Sequence, residues 1–345
     1  MSFGYIFNED TCTKQYDVSA TSYPPVPESQ FEILSYQKIE ETGEDRLKFD
    51  LINVPPSHAN ALRRTLISRV PSVALEVIGI TVNDGIMPDE ILCHRLGMIP
   101  LDIDPKYVEF NDGPIENDSN NPKTTFLFGL NVVGGEGPDP DYTGIDYTWE
   151  DNKSKFKPYY TGPSGLVKSE HLVWMPLPGQ KEMFPSVHPL HLDIPITKLK
   201  PGQRIELTAR ACKSIGLDHA KFSPVCTAFY RMVPLIEVDN SKLKPHRKEQ
   251  LVKTCPVGVF DIEDGDVVVK NPRKCTSCRE CLRDITIRNY IKVGKEANRY
   301  EFTVESVGQR PAYQLVKEAL QVLKERCYLI SDLIKEADPL NNKNK

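Results

Sequence analysis

Apolar and polar residues alternate at Leu47, Phe49 and Leu51, the period of a strand with one buried face. Pro55 and Pro56 end that pattern, and Ser57 is placed to cap a helix running to about Arg69. Ala59, Leu62 and Leu66 recur on one side of this helix, with Arg63 and Arg64 elsewhere. Pro88 and Asp89 open a second, short helix that turns Ile91, Leu92 and Leu96 inward and ends at Gly97. Strict alternation predicts strands at 190–194 and 205–209, and further strands are expected at 232–238 and around Tyr300, Phe302 and Val304. Gly308 breaks the last of these, and Pro311 begins the longest periodic stretch of the chain. Ala312, Val316, Ala319, Leu323, Cys327, Ile330, Ile334 and Ala337 follow one another at spacings of three and four. A helix of that length spans about 40 Å. A stripe so long needs a partner helix or a broad sheet to bury it, unless it is an ordinary core helix of a large domain. Strands and helices in this order make an α+β chain.

Composition narrows the class. The chain has 345 residues, room for two or three domains, with 43 Lys and Arg against 48 Asp and Glu. There is no apolar run long enough to span a membrane, and residues 1–10 lack the basic and apolar regions of a secretory signal. A net charge of −5 suits a stand-alone nucleic-acid binder poorly, because phosphate must be neutralised by excess Lys and Arg. Residues 1–34, with Tyr23-Pro-Pro-Val-Pro27, read as a polar, extended arm. Between Asp102 and Asp151 there are twelve acidic residues and two basic ones, which reads as a solvated, negatively charged loop.

The chemistry is concentrated in cysteine. Nine cysteines, an odd number and thinly spread, argue for a reducing compartment rather than a disulfide scaffold. Cys255, Cys275, Cys278 and Cys281 nevertheless fall close together. In two-cluster bacterial ferredoxins each half reads C-x2-C-x2-C-x3-C-P, and the fourth cysteine of one half ligates the cluster of the other. With Cys255-Pro256 as the end of a first half, its other thiols belong at Pro245, Lys248 and Leu251, and the fourth of the second half at Ile285. Every ligand of one cluster is missing. Every ligand of the other is present. A single [4Fe–4S] cluster on Cys255, Cys275, Cys278 and Cys281 is therefore expected ahead of a zinc site, which more often uses paired C-x2-C units. Four free thiols are the third reading. Lys270, Arg273, Lys274, Arg279 and Arg283 would favour thiolate there.

Other motifs are thin. No GxxxxGK[ST], GxGxxG or GxSxG occurs. His58 and His94 sit on helices with no ligand at metal-site spacing, His188 and His191 read as surface histidines in a Pro-rich approach to a strand, and Asp102 with Asp104 reads as a solvated turn. Nothing assembles a catalytic centre. The cysteine block alone would suit an iron–sulfur electron-transfer protein, but no flavin or nicotinamide fingerprint accompanies it.

Several segments together resemble one family. Asn60-Ala-Leu-Arg-Arg-Thr-Leu66, in a helix after a strand, is similar to the dimerisation motif of the alpha-like subunits of multisubunit RNA polymerases. Asp89-Glu-Ile-Leu-Cys-His-Arg-Leu-Gly-Met-Ile-Pro-Leu101, His219-Ala-Lys-Phe-Ser-Pro-Val225, Phe302-Thr-Val-Glu-Ser-Val-Gly308 and the long terminal helix extend the resemblance over about 30–338. The long 105–190 region and the ferredoxin-like block resemble the larger alpha-like subunit shared by polymerases I and III. The polymerase II third subunit, which typically carries zinc in its second domain, is less similar, since no cysteine lies between Pro100 and Ala211. The archaeal member of the family is similar in the cysteine block.

The resemblance implies an arm at 1–29, a dimerisation domain in three pieces (30–72, 225–238 and 299–338), an inserted β-rich domain at 73–224, a ferredoxin-like domain at 239–298 and a tail at 339–345. It implies a non-catalytic, nuclear and nucleolar scaffold for synthesis of ribosomal RNA precursors and small RNAs such as 5S rRNA and tRNA. A smaller alpha-like subunit would bind through Leu62, Leu66 and the terminal helix, at Val316, Ala319, Leu323, Ile330 and Ile334. The two large catalytic subunits would assemble on that pair, with Arg63, Arg64 and Arg95 facing them. Nucleic acid would be met only through the assembled enzyme.

Overall fold

The structure is a computed structural model that describes residues 4–8, 11–15, 28–39, 44–111, 121–137, 147–150, 153–156 and 158–337. Most of the arm, much of the acidic 102–151 stretch and the tail at 339–345 lie outside the described residues. The elements used below are β1 (Gln30–Ile39), β2 (Glu44–Ile52), α1 (Pro56–Ser68), β3 (Pro71–Asn83), α2 (Asp89–Gly97), β4 (Thr125–Val133), β5 (Val173–Met175), β6 (Arg204–Ile215), β7 (Val225–Val238), α3 (Pro245–Thr254), β8 (Phe260–Glu263), β9 (Asp266–Val269), β10 (Ile291–Ser306) and α4 (Ala312–Ala337).

Alternation in the sequence becomes two unlike faces of one antiparallel sheet, ordered β7-β10-β2-β1. The register sets Leu47 opposite Val304, Phe49 opposite Phe302 and Leu51 opposite Tyr300. Paired residues share a face, so these side chains form one apolar surface. The Phe49 and Phe302 rings stack with centroids 5.0 Å apart. Upon them lie Ala59, Leu62 and Leu66 of α1 and Ala312, Leu315, Val316 and Ala319 of α4, all buried in the same core. The alternate residues, Asp50 opposite Glu301, form a charged face on the other side.

Val70 is buried where α1 hands the chain to β3, which carries it into a second unit. There β5, β4, β6 and β3 pair antiparallel, Tyr159–Tyr160 adds a short parallel strand beside β4, and Leu92 and Leu96 of α2 join the core. A third, smaller core holds the cysteine block: Leu251 of α3, Phe260 and Val267 of the β8–β9 hairpin, Ile287 and Ile291. Asp264 and Gly265 both take positive φ at the hairpin tip (51° and 80°), the conformation a tight two-residue turn demands. Strands β7 and β10 are long enough to serve two cores. Beyond a bulge at Met232–Pro234 they stay paired to Val238 and Ile291, and there Ile236, Val238, Ile291 and Val293 pack into the cysteine block. The boundaries expected at 238 and 298 therefore fall inside or at the end of continuous strands, with no linker.

Three expectations need correction. Residues 190–194 form no strand: Pro189 has no N–H to donate, and the backbone bonds of Leu192 and Ile194 go to Glu170 and Ser169 instead. The strand begins one step later, at Pro195–Lys198. Ser57 caps nothing, because α1 starts at Pro56 with Pro55 in the cap position, where proline's missing N–H costs nothing. Ile91 faces solvent while Leu92 and Leu96 turn inward.

Candidate functional site

Two places on the molecule stand apart from its packed cores. The first is α4. One face of its first turns (Ala312, Leu315, Val316 and Ala319) is buried on the sheet, Leu323 is half-buried, and from Lys324 to Glu336 every residue is exposed. That segment still carries its apolar stripe: Tyr328, Leu329, Ile330, Leu333 and Ile334 all face water, Ile334 at 66%. The neighbouring sheet edge is also apolar and uncovered, through Phe31, Ile33 and Tyr36 of β1. The Tyr36 and Tyr313 rings meet edge to face at 5.8 Å, joining that edge to the root of α4. Exposed apolar surface of this kind marks an interaction face.

The expected partner-binding residues divide. Ile330 and Ile334 lie on the open face and Leu323 at its root. Leu62, Leu66, Val316 and Ala319 do not: each is at most 3% exposed, so the chain's own core leaves a partner nothing to touch. These four hold α1 and α4 on the sheet and support the interface from beneath. Arg63 is turned back on Asn60, donating to its Oδ1 at 2.9 and 3.1 Å, and Arg95 donates to the Pro195 carbonyl at 2.7 Å. Arg64 is exposed.

The second place is the cysteine block. Cys255 ends α3, Cys275 follows a 3-10 turn at Pro272–Lys274, and Cys278 and Cys281 stand in the loop after it. All four line one small pocket, walled by Ile236, Val259, Phe260 and Val293. The Val259 N–H donates to Cys255 Sγ and the Ser277 N–H to Cys275 Sγ, both at 3.4 Å. Ser277 and Arg279, on either side of Cys278, hold left-handed backbone (φ 58° and 63°) without being glycine, a local cost that recurs at ligand sites. Burial pushes the Cys281 thiol up, and the neighbouring Cys275, Cys278 and Cys255 push it further. Among the described residues no trio of His, Cys, Asp or Glu is gathered so as to hold a single metal ion. Of the basic residues expected to surround the thiols, Arg279 lines the pocket, whereas Lys270, Arg273 and Arg283 are engaged by Asp261, Asp50 and Glu280.

Arg273 has the larger role. It reaches from the turn before Cys275 to the charged face of the sheet, where its two Nη atoms donate to Asp50 at 2.7 and 2.9 Å. Arg299 donates to the same carboxylate at 2.8 Å, and Arg273 also bonds Glu301 at 2.8 Å. Arg231 holds Glu301 at 3.0 Å and the Arg273 carbonyl at 2.8 Å. Asp50 is fully buried. Burial alone would raise its pKa, but the hydrogen bonds and charges of Arg273 and Arg299 outweigh it and hold the carboxyl below the usual range. Sequence reasoning missed this junction, since Asp50 reads as a solvent-side strand residue.

The sequence pattern of the RNA polymerase Rpb3/Rpb11 dimerisation domain matches residues 48–327. The chain belongs to the RNA polymerase Rpb3/Rpb11 dimerisation-domain family. Family membership implies pairing with another subunit of the polymerase. The chain is 37% identical to the DNA-directed RNA polymerases I and III subunit rpac1 of Dictyostelium discoideum, over 84% of this chain and 79% of that one. It is 30% identical to the DNA-directed RNA polymerase subunit Rpo3 of Methanosphaera stadtmanae, over 87% of this chain and 99% of that one. To the DNA-directed RNA polymerase II subunit rpb3 of Dictyostelium discoideum it is 29% identical, over 84% and 91%. The family's span includes the cysteine block, which leaves an independent electron carrier without support elsewhere in the chain.

Proposed function

We propose that this chain is the larger alpha-like subunit shared by nuclear RNA polymerases I and III. It is a non-catalytic subunit of a DNA-directed RNA polymerase. The observation that carries the proposal is the projecting apolar half of α4, beside the open β1 edge, on a dimerisation-family chain more similar to the I-and-III subunit than to the polymerase II or archaeal ones. A smaller alpha-like subunit covers that face, and the pair is the platform on which the two large subunits assemble. The complexes so built act in the nucleus and nucleolus on ribosomal RNA precursors and on small RNAs such as 5S rRNA and tRNA. Affinity purification of the tagged chain from its own cells tests this. A small alpha-like chain with the large subunits of both polymerases is expected, and recovery of one polymerase alone would move the assignment to a specific or archaeal member.

The cysteine block holds a single [4Fe–4S] cluster on Cys255, Cys275, Cys278 and Cys281. Support comes from four thiols on one pocket, N–H donors aimed at two of the sulfurs, and a donor set soft enough for iron–sulfur. Such a group staples the fold that arranges its ligands. Anaerobically purified protein is expected to contain about four iron and four acid-labile sulfide per chain. One zinc per chain and no iron would overturn the reading. Cys278→Ser is expected to lose the iron, loosen residues 239–298 to proteolysis and lower complex yield several-fold. The rate of the polymerase that does assemble should not change. Full yield from this variant would remove the staple role.

A further inference from the structure

At the root of the open helix, α1 and α4 enclose a groove of about 300 Å³. Arg64 and Arg69 enter it from the end of α1 and Arg326 from α4, with Ser68, Leu217 and Leu323 completing its wall. Among the described residues none of the three guanidinium groups meets a carboxylate or another hydrogen-bond acceptor, unlike Arg46, Arg231, Arg273, Arg299 and Arg310, each of which has an acid. The acids nearest in sequence are engaged elsewhere: Asp218 accepts from the Ser214 hydroxyl, and Glu325 from Gln321 at 2.8 Å.

Three like charges around one groove repel, and no acid stands among its lining residues to offset that repulsion. An anion seated among them would relieve that repulsion. Guanidinium forks from two directions match carboxylates, each of which accepts two parallel N–H bonds. The groove is also continuous with the partner-binding face, since Leu323 and Arg326 stand where α4 leaves the sheet.

We propose that this groove is a carboxylate receptor, filled in the assembled polymerase by Asp or Glu side chains of an acidic segment on a partner subunit. The proposal rests on the assembly role above and names its chemistry: apolar contact along α4, and charge recognition by Arg64, Arg69 and Arg326 at its root. A protein segment is favoured over nucleic acid because the site adjoins the subunit interface and the chain as a whole is acidic.

The test uses the full tagged chain in its own cells. Arg64→Glu with Arg326→Glu is expected to lower recovery of at least one polymerase subunit about tenfold or more, while thermal unfolding of the variant chain stays at the wild-type temperature. Arg64→Lys with Arg326→Lys keeps the charge but loses the fork, so recovery is expected between wild type and the double Glu variant, and a zero-length carbodiimide then couples the new amines to Asp or Glu of that subunit, located by mass spectrometry. Undiminished recovery with the double Glu variant overturns the proposal. So does coupling to no partner carboxylate, or loss of bound nucleic acid with all subunits retained. If the wild-type chain recovers no polymerase subunit, the assembly role itself fails, a result distinct from each of these.

Discussion

Replacing Asp50 by alanine is expected to destabilise the protein by about 3 kcal/mol, the lower end of the cost of breaking a buried ion pair. The carboxylate is fully buried and takes both forks of Arg273 as well as Arg299. Its removal leaves two guanidinium groups facing a vacancy. The lower end applies because Arg273 is a third exposed and keeps Glu301 as a partner. Two consequences are measurable. Thermal unfolding shifts down, and residues 239–298 become sensitive to protease first, because Arg273 ties the turn before Cys275 to the sheet. The pH dependence changes as well. The folded pKa of Asp50 is depressed, so its stabilisation is fully present above the unfolded aspartate value and is lost as pH falls through the lower folded value. Below about pH 4 the wild-type protein should lose stability more steeply than Asp50→Ala. Parallel pH profiles would show that the pair stabilises nothing.

Pairing with a partner subunit should collapse in Ile330→Asp with Ile334→Asp. These residues lie four apart, on one side of the helix, and both are more than half exposed in the single chain. The chain's own stability should therefore move by no more than about 0.5 kcal/mol. Burying each isoleucine against a partner contributes about 1.5–3 kcal/mol, and carboxylates put in their place would have to be desolvated. Together these weaken the dimer by about a thousandfold or more. Size-exclusion chromatography of the chain co-expressed with the proposed smaller alpha-like subunit reads the result directly: two separate peaks are expected. A single peak at the mass of the pair would place the interface elsewhere, and the open end of α4 would need another explanation.

The four thiols were legible as a group because their close spacing stands in the order of residues, as Cys255 followed by Cys275, Cys278 and Cys281. Their convergence on one pocket needed the β8–β9 hairpin and the extended ends of β7 and β10 to supply the walls. The groove of Arg64, Arg69 and Arg326 was not legible, since only the crossing of α1 and α4 brings the three together.

Local periodicity alone determined that Leu47, Phe49 and Leu51 form one face of a strand, that Tyr300, Phe302 and Val304 form another, and that 312–337 is helical. These are short-range facts, fixed by side-chain direction along a single element. Tertiary structure alone decided which half of the α4 stripe is core and which is surface. The spacing is the same throughout, but the sheet is four strands wide, and its cover runs out near Leu323. It also decided that Asp50 is buried, because a segment 223 residues away lays Arg273 across it. A residue's burial depends on what the rest of the chain places over it, and that is not written in its neighbours.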